Sequence, residues 1–299
     1  MGLCTVPLPA VALLALLAPA CAADRAAAGQ DSSQDSGRAP AEKDASDAAE
    51  TTISGSLMSN YQYRGISLSR HSPSAFSSIE LDRDGFYLTG QADTVRLPGD
   101  PLAELTGTGG FRHDLAGIHF DLGVEGYYYP GEMPAPGSGA TNYWQSNLSA
   151  SRRILDAFDV KGLFAYSPSV WNSGAWGAYG SGEIKYDLPK LPLGKADITW
   201  QLVGELGYQG YGSTSLGSQL PDYAHWRLGV IFGRGDFTLE VNYQDTNLSK
   251  EGCCVLTGDA SSSPDRGKRF GNNDLGLQSN LCGRTVVGTL SFEFAPPKR

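Results

Sequence analysis

At 299 residues the chain has room for one large domain or two small ones. Its net charge of −9 argues against a nucleic-acid partner, because phosphates are bound by clustered Lys and Arg. Charged residues make up 18% of the chain while Gly (38) and Tyr (14) are abundant, a balance foreign to a soluble helical enzyme but open to a protein that meets lipid through an uncharged belt.

The N-terminus carries an apolar run, Val11 to Ala20, followed by Ala20-Cys21-Ala22. That pattern predicts a signal peptide over residues 1–22, cut before Ala23, although the segment before the run has no Lys or Arg. A lipoprotein site at Cys21 is the rival reading, and the preceding Ala18-Pro19-Ala20 fits it poorly. No later segment reaches the about 18 uninterrupted apolar residues of a membrane helix, so a membrane reading has to be a barrel. Residues 23–50 hold Ala, Asp, Ser, Gln and Glu with almost no large apolar side chain, which predicts a disordered periplasmic leader.

From Thr51 onward the texture changes to apolar–polar alternation. Phe237 to Gln244 alternates strictly, and Ile118 to Glu125 sets Ile118, Phe120, Leu122 and Val124 against His119, Asp121 and Glu125. Period two means strands with unlike faces. About twelve such segments follow one another, over 53–66, 75–82, 86–96, 103–113, 118–129, 142–154, 158–168, 177–187, 197–209, 223–233, 236–246 and 284–294. Their length suits a tilted bilayer crossing. Every second connection is short (Arg83 to Gly85, Asp114 to Gly117, Leu155 to Ala157, Leu188 to Lys195, Arg234-Gly235), and those between are mostly longer. Such an asymmetry predicts an all-β, antiparallel transmembrane barrel of about 12 strands over residues 51–299, with short turns and both termini on the periplasmic side of the outer membrane. Tyr127, Tyr128, Tyr129, Tyr143, Trp144, Tyr166, Tyr208 and Trp226 fall near the ends assigned outward. Phe86, Phe111, Phe158, Phe232, Phe237 and Phe294 fall near the other ends, as two interfacial girdles would.

If the apolar face meets lipid, the lumen is lined by His119, Asp121, Glu125, Asp159, Lys161, Glu183, Lys185, Glu205, Arg227, Glu240 and Glu293. The seven carboxylates against three bases favour cations or neutral solutes. The other reading is that these charges pair and, with a folded-in loop, block a narrow interior. After loss of the leader, Cys253, Cys254 and Cys282 remain. Outside the cytoplasm, Cys253 or Cys254 bridging to Cys282 would constrain the loop by roughly 3–4 kcal/mol. With no His nearby a metal site is the weaker alternative, and no cofactor is expected.

The segment Ser59-Asn60-Tyr61-Gln62-Tyr63-Arg64-Gly65-Ile66-Ser67 resembles the opening signature of the TorF family, porin-like outer-membrane proteins of proteobacteria whose function is uncharacterised. Gly85-Phe86-Tyr87, Tyr127 to Gly131, Trp226 to Val230 and the final strand resemble later parts of it, so the likeness spans most of 52–294. The resemblance implies a pore and no particular solute. Arg64, placed at the external end of the first strand, is then either a lumen charge at a constriction or an interfacial Arg whose stem lies along the wall. Leu290, Phe292 and Phe294 look like the terminal strand signal read by the barrel-assembly machinery, a partner during biogenesis, although Ala295 to Arg299 follow it.

Catalytic patterns are missing: there is no G-x-S-x-G, H-E-x-x-H, Walker loop or calcium loop. Gly107-Thr108-Gly109-Gly110 lies inside an alternating segment, where Gly relieves crowding or permits a bend. The expectation is a passive or weakly cation-preferring pore for small hydrophilic solutes. A closed barrel presenting surface loops is the alternative, and a lipid-modifying enzyme stands third.

Overall fold

The computed structural model describes residues 49–134, 140–193, 196–260 and 277–295. The expected signal peptide and nearly all of the expected leader lie outside these. The first strand opens at Glu50, one residue inside the leader as drawn from sequence.

Twelve antiparallel strands close on themselves. They are β1 (Glu50–Met58), β4 (Ser74–Arg83), β5 (Phe86–Asp93), β6 (Glu104–Leu115), β7 (Ile118–Tyr128), β8 (Tyr143–Ile154), β9 (Phe158–Ser167), β10 (Gly177–Leu193), β11 (Ala196–Tyr211), β12 (Tyr223–Arg234), β13 (Phe237–Thr246) and β14 (Thr285–Phe294). A two-stranded hairpin, β2 (Gln62–Tyr63) and β3 (Ile66–Ser67), lies between β1 and β4, and a helix, α1 (Lys250–Thr257), between β13 and β14. Each wall strand pairs with its chain neighbour, and β1 closes the ring by pairing with β14, Ile53 opposite Phe294. Closure leaves no wall strand with an unpaired edge, the condition for a sheet in hydrocarbon.

The outward face is one that water could not wet. Leu57, Leu88, Leu206, Leu228 and Val286 are each 61–64% exposed, while the alternate positions point inward and are mostly polar. We expect Leu228→Arg, at the middle of β12, to cost about 2–4 kcal/mol in urea unfolding from vesicles. A cost near zero would mean that this face does not meet lipid.

The two ends differ as their connections do. At one end Asp84-Gly85, Ala116-Gly117 and Leu155-Asp156 each place two successive residues at positive φ. This is the tight hairpin geometry whose twist matches that of the flanking strands. We call this the turn end and the other the loop end.

Four features depart from the sequence reading. The first strand stops at Met58 instead of running to Ile66. Beyond Leu57 the outward-parity positions would be Ser59, Tyr61, Tyr63 and Gly65, none aliphatic, so continued pairing would offer lipid a polar stripe. The chain turns into the barrel instead. Strands β10 and β11 overrun their expected limits, pairing on past a register shift between Leu188 and Leu191. The aromatic girdle at the loop end is thinner than expected, because parity divides it. Tyr128, Trp144, Tyr166 and Tyr208 face out, whereas Tyr127 and Tyr129 are buried inside and the ring of Tyr143 stacks on Tyr127 at 4.4 Å. Helix α1, which alternation could not reveal, is capped by the Ser249 side chain accepting from the Gly252 N–H and by Gly258 at φ 64.

Candidate functional site

Polar side chains converge in the lumen, and the signature segment lies within it. The β2–β3 hairpin leaves β1 through a Ser59 N–H bond to the Gly288 carbonyl (2.8 Å) and crosses to the opposite wall. Tyr61 donates to Glu104 on β6 (2.9 Å), which also accepts from Tyr129 (2.7 Å). Arg64, at the tip, donates to Gln209 on β11 (2.8 Å) and Gln145 on β8 (3.2 Å). Its guanidinium also stacks on Tyr179 of β10, 4.0 Å from the ring centre. Arg64 is therefore a lumen residue, but it reaches the lumen on a folded-in loop and not at the end of a strand.

Gly65 shows how closely this hairpin is seated. It has φ +79, and a Cβ there would fall 2.5 Å from Thr246 Cγ2 and 2.9 Å from His225 Cβ. Gly65→Ala should destabilise the seated hairpin by at least about 1 kcal/mol. Amide exchange over 60–72 checks this, and unchanged protection would contradict the seating.

Below the hairpin, toward the turn end, the wall is charged. Arg227 on β12 donates to Glu205 (3.0 Å), Glu240 (2.8 Å) and Glu183. Lys185 lies 3.6 Å from Glu183, and Lys161 stands opposite Glu183 across the β9–β10 pair. Arg112 on β6 meets Glu80 (2.6 Å), Asp121 (3.2 Å) and Asp82 (3.5 Å). Arg153 binds Asp159 (2.8 Å) and Asp187. Glu125 accepts from Tyr127, from Gln145 (2.7 Å) and from Asn147 (3.3 Å). His119 pairs with Asp114 (2.7 Å) at the turn end, and Glu293 lies partly exposed at that same end, opposite Ser54. The residues expected from alternation thus all stand on inward positions of the strands, and most are engaged with a neighbour.

Exposure falls steeply along the axis. Near the turn end the side chains of Arg153, Asp187 and Asp82 are 39%, 35% and 32% exposed, whereas Tyr61, Glu104, Tyr179 and Glu240 are at 1% or less. An aqueous channel leaves its wall accessible to water. This barrel opens as a vestibule at the turn end and is packed shut at the level of the hairpin. Beside the hairpin tip lies a cavity of about 70 Å³ lined by Gln62, Arg64, Tyr179, His225, Arg227 and Asn242 among others. That is room for a few waters.

In the loop that carries α1, Cys253 is bonded to Cys282, and Cys254 is a buried free thiol. Among the described residues no group of three or more His, Cys, Asp or Glu could hold a metal ion. Gly110 of the Gly107–Gly110 run faces inward, where a Cβ would meet the Tyr87 hydroxyl at 2.5 Å. Crowding inside the barrel therefore accounts for the glycine at that position.

Sequence reasoning passed over Gln145, Tyr179, Gln209 and His225 as site residues, because uncharged polar residues on inward positions look like ordinary wall, and it placed Gln62 in the first strand instead of on a folded-in hairpin.

Residues 42–263 match a protein family described as a bacterial protein of unknown function, Gcw_chp. No curated protein matches the sequence. Among solved structures the chain is similar to the KdgM porin (9% identity, covering 82% of this chain and 99% of that one, TM-score 0.44). It is also similar to the NanC porin (9% identity, 83% and 100%, TM-score 0.43). A third is the COG4313 outer membrane channel from Pseudomonas putida F1 (11% identity, 87% and 100%, TM-score 0.40). These likenesses are of barrel architecture alone.

Proposed function

We propose that this chain, which belongs to the Gcw_chp family of bacterial proteins of unknown function, is an outer-membrane channel for small hydrophilic solutes that is shut by its own first loop. The observation that carries the reading is the placement of β2–β3 inside a polar lumen. The tip of this hairpin reaches the far wall through the side chains of Tyr63 and Arg64. A loop held by a few side-chain bonds can leave, because each is worth only about 0.5–3 kcal/mol net, the upper part of that range where Arg64 is the donor. The resemblance of Ser59 to Ser67 to the TorF signature points the same way. In this reading the signal peptide is removed, the termini and the turn end face the periplasm, and the loop end faces outside. The partners are outer-membrane lipids, the assembly machinery and the passing solute.

Selectivity follows from the vestibule. Among the described residues Arg112 meets three carboxylates there, Glu80, Asp82 and Asp121, so the wall carries excess negative charge and lowers the energy of a cation. A salt gradient across a planar bilayer should give a cation-biased reversal potential in the plug-deleted barrel. Glu80→Gln with Asp82→Asn should reduce that bias, and an anion bias would refute the acidic-wall account.

The second reading, a closed barrel that presents its loops to a partner, draws on the apolar cluster joining loops at the loop end. It predicts that removing the hairpin gives a folded barrel with no conductance.

A further inference from the structure

The hairpin is held from above as well as from the wall. Its β3 strand is seated in an apolar cluster at the loop end that contains Ile66, Cys253, Leu256, Leu281 and Cys282. The segment entering β14 forms the contact surface. Ser67 donates its N–H to the Leu281 carbonyl (2.8 Å), and His71 Nε2 lies 3.1 Å from the Asn280 carbonyl oxygen. Thr246 donates to the Cys282 carbonyl (2.5 Å), and Arg70 lies 4.0 Å from Asp259, just past α1. Leu281 and Cys282 are thus pressed between the hairpin and α1, and one covalent bond, Cys253–Cys282, clips that segment to the helix.

We propose that the Cys253–Cys282 disulfide is a redox latch on the plug: its reduction frees the Leu281–Cys282 segment from α1 and lets β2–β3 leave the lumen. The proposal rests on the plugged-channel reading. A dithiol reductant supplies the electrons. Its thiolate attacks one sulfur and forms a mixed disulfide; its second thiol then closes on the first, breaking that bond. The dithiol gives up two electrons and two protons, and Cys253 and Cys282 become thiols. The neighbouring Cys254 does not reshuffle the bond, since it is buried and burial, with the charge of Asp259, pushes its thiol up and keeps it protonated at neutral pH.

The test uses the full mature chain, refolded oxidised, with dithiothreitol as the dithiol. Two readouts are taken: open probability in a bilayer, and hydrogen exchange over residues 60–72. Reduction should raise both on the order of tenfold, the effect of about a 1.4 kcal/mol shift in the plug equilibrium. The Cys253→Ser/Cys282→Ser variant should begin in that state and ignore dithiothreitol, and Cys254→Ser should respond like the parent. If the serine pair prevents folding, reduction of the parent in place decides the question. Exchange over 60–72 that stays the same after both thiols are shown to be free overturns the latch. A barrel that remains silent after plug deletion overturns the channel reading instead, and the exchange readout then still judges the latch.

Discussion

Replacing residues 60–72 with a short Gly/Ser connection between Ser59 and Pro73 should convert a silent barrel into one with discrete conductance steps. The excised stretch includes Tyr61, Tyr63 and Arg64, the side chains that reach β6, β8, β10 and β11 across the lumen. Both ends of the excised stretch lie at the loop end, so β1 and β4 can keep their pairing from Glu50–Asp82 to Met58–Ser74. What remains is a twelve-stranded ring lined at that level by the uncharged Gln145, Gln209 and Asn242, with Glu104, Glu125 and Arg227 close by. The expected change is from no steps to frequent ones, with the same heat-modifiable gel migration as the parent. Silence from a correctly folded deletion would mean that the wall side chains close the lumen unaided.

Arg227 should carry the largest single-residue share of stability. It stands among Glu183, Glu205 and Glu240, with Glu240 fully buried. Removing the cation leaves three carboxylates facing one another, with Lys185 3.6 Å from Glu183. Breaking a buried ion pair by deleting one partner costs about 3–5 kcal/mol, because the remaining charge is stranded away from water. Arg227→Met should therefore lower unfolding free energy by about that amount in urea titrations from vesicles. Adding Glu240→Gln should return part of the loss, since the two residues are in contact and their effects do not add. If Arg227→Met costs no more than an exposed charge would, under about 1 kcal/mol, the cluster is solvated and the packed-lumen description fails at this level.

How much of this was legible in the sequence follows from what alternation can carry. A strand in lipid must keep one face apolar, and that demand writes itself into Phe237 to Gln244 or Ile118 to Glu125 directly. The same demand, applied strictly, would have ended the first strand at Leu57, where aliphatic outward residues run out. Period-two texture by itself carries the expected strand on to Ile66, because Tyr61 and Tyr63 alternate with Asn60, Gln62 and Arg64 and fit an interfacial end. The three tyrosines at 127–129 illustrate a second limit. Composition placed them at an interface, but parity sends only Tyr128 outward. For the charged wall, parity supplied the positions, while the pairing of Arg227 and Arg112 depends on register across several strands. No single strand records that register. Helix α1 left a faint local signal, a Ser249 cap and Gly258 eight residues beyond Lys250, which an alternation search passes over.

The central claim is that the Ser59–Ser67 segment lies inside the barrel, and site-specific thiol labelling in intact outer membranes tests it most directly. In a Cys254→Ser background, Gln62→Cys reports on the hairpin tip, whose amide atoms are buried, and Arg70→Cys reports on the loop end, where the parent side chain is 43% exposed. With a bulky maleimide that cannot cross the membrane, the account predicts that position 62 stays unlabelled in the time that position 70 is labelled to completion. Equal labelling of the two would place the hairpin in solvent and contradict the plug.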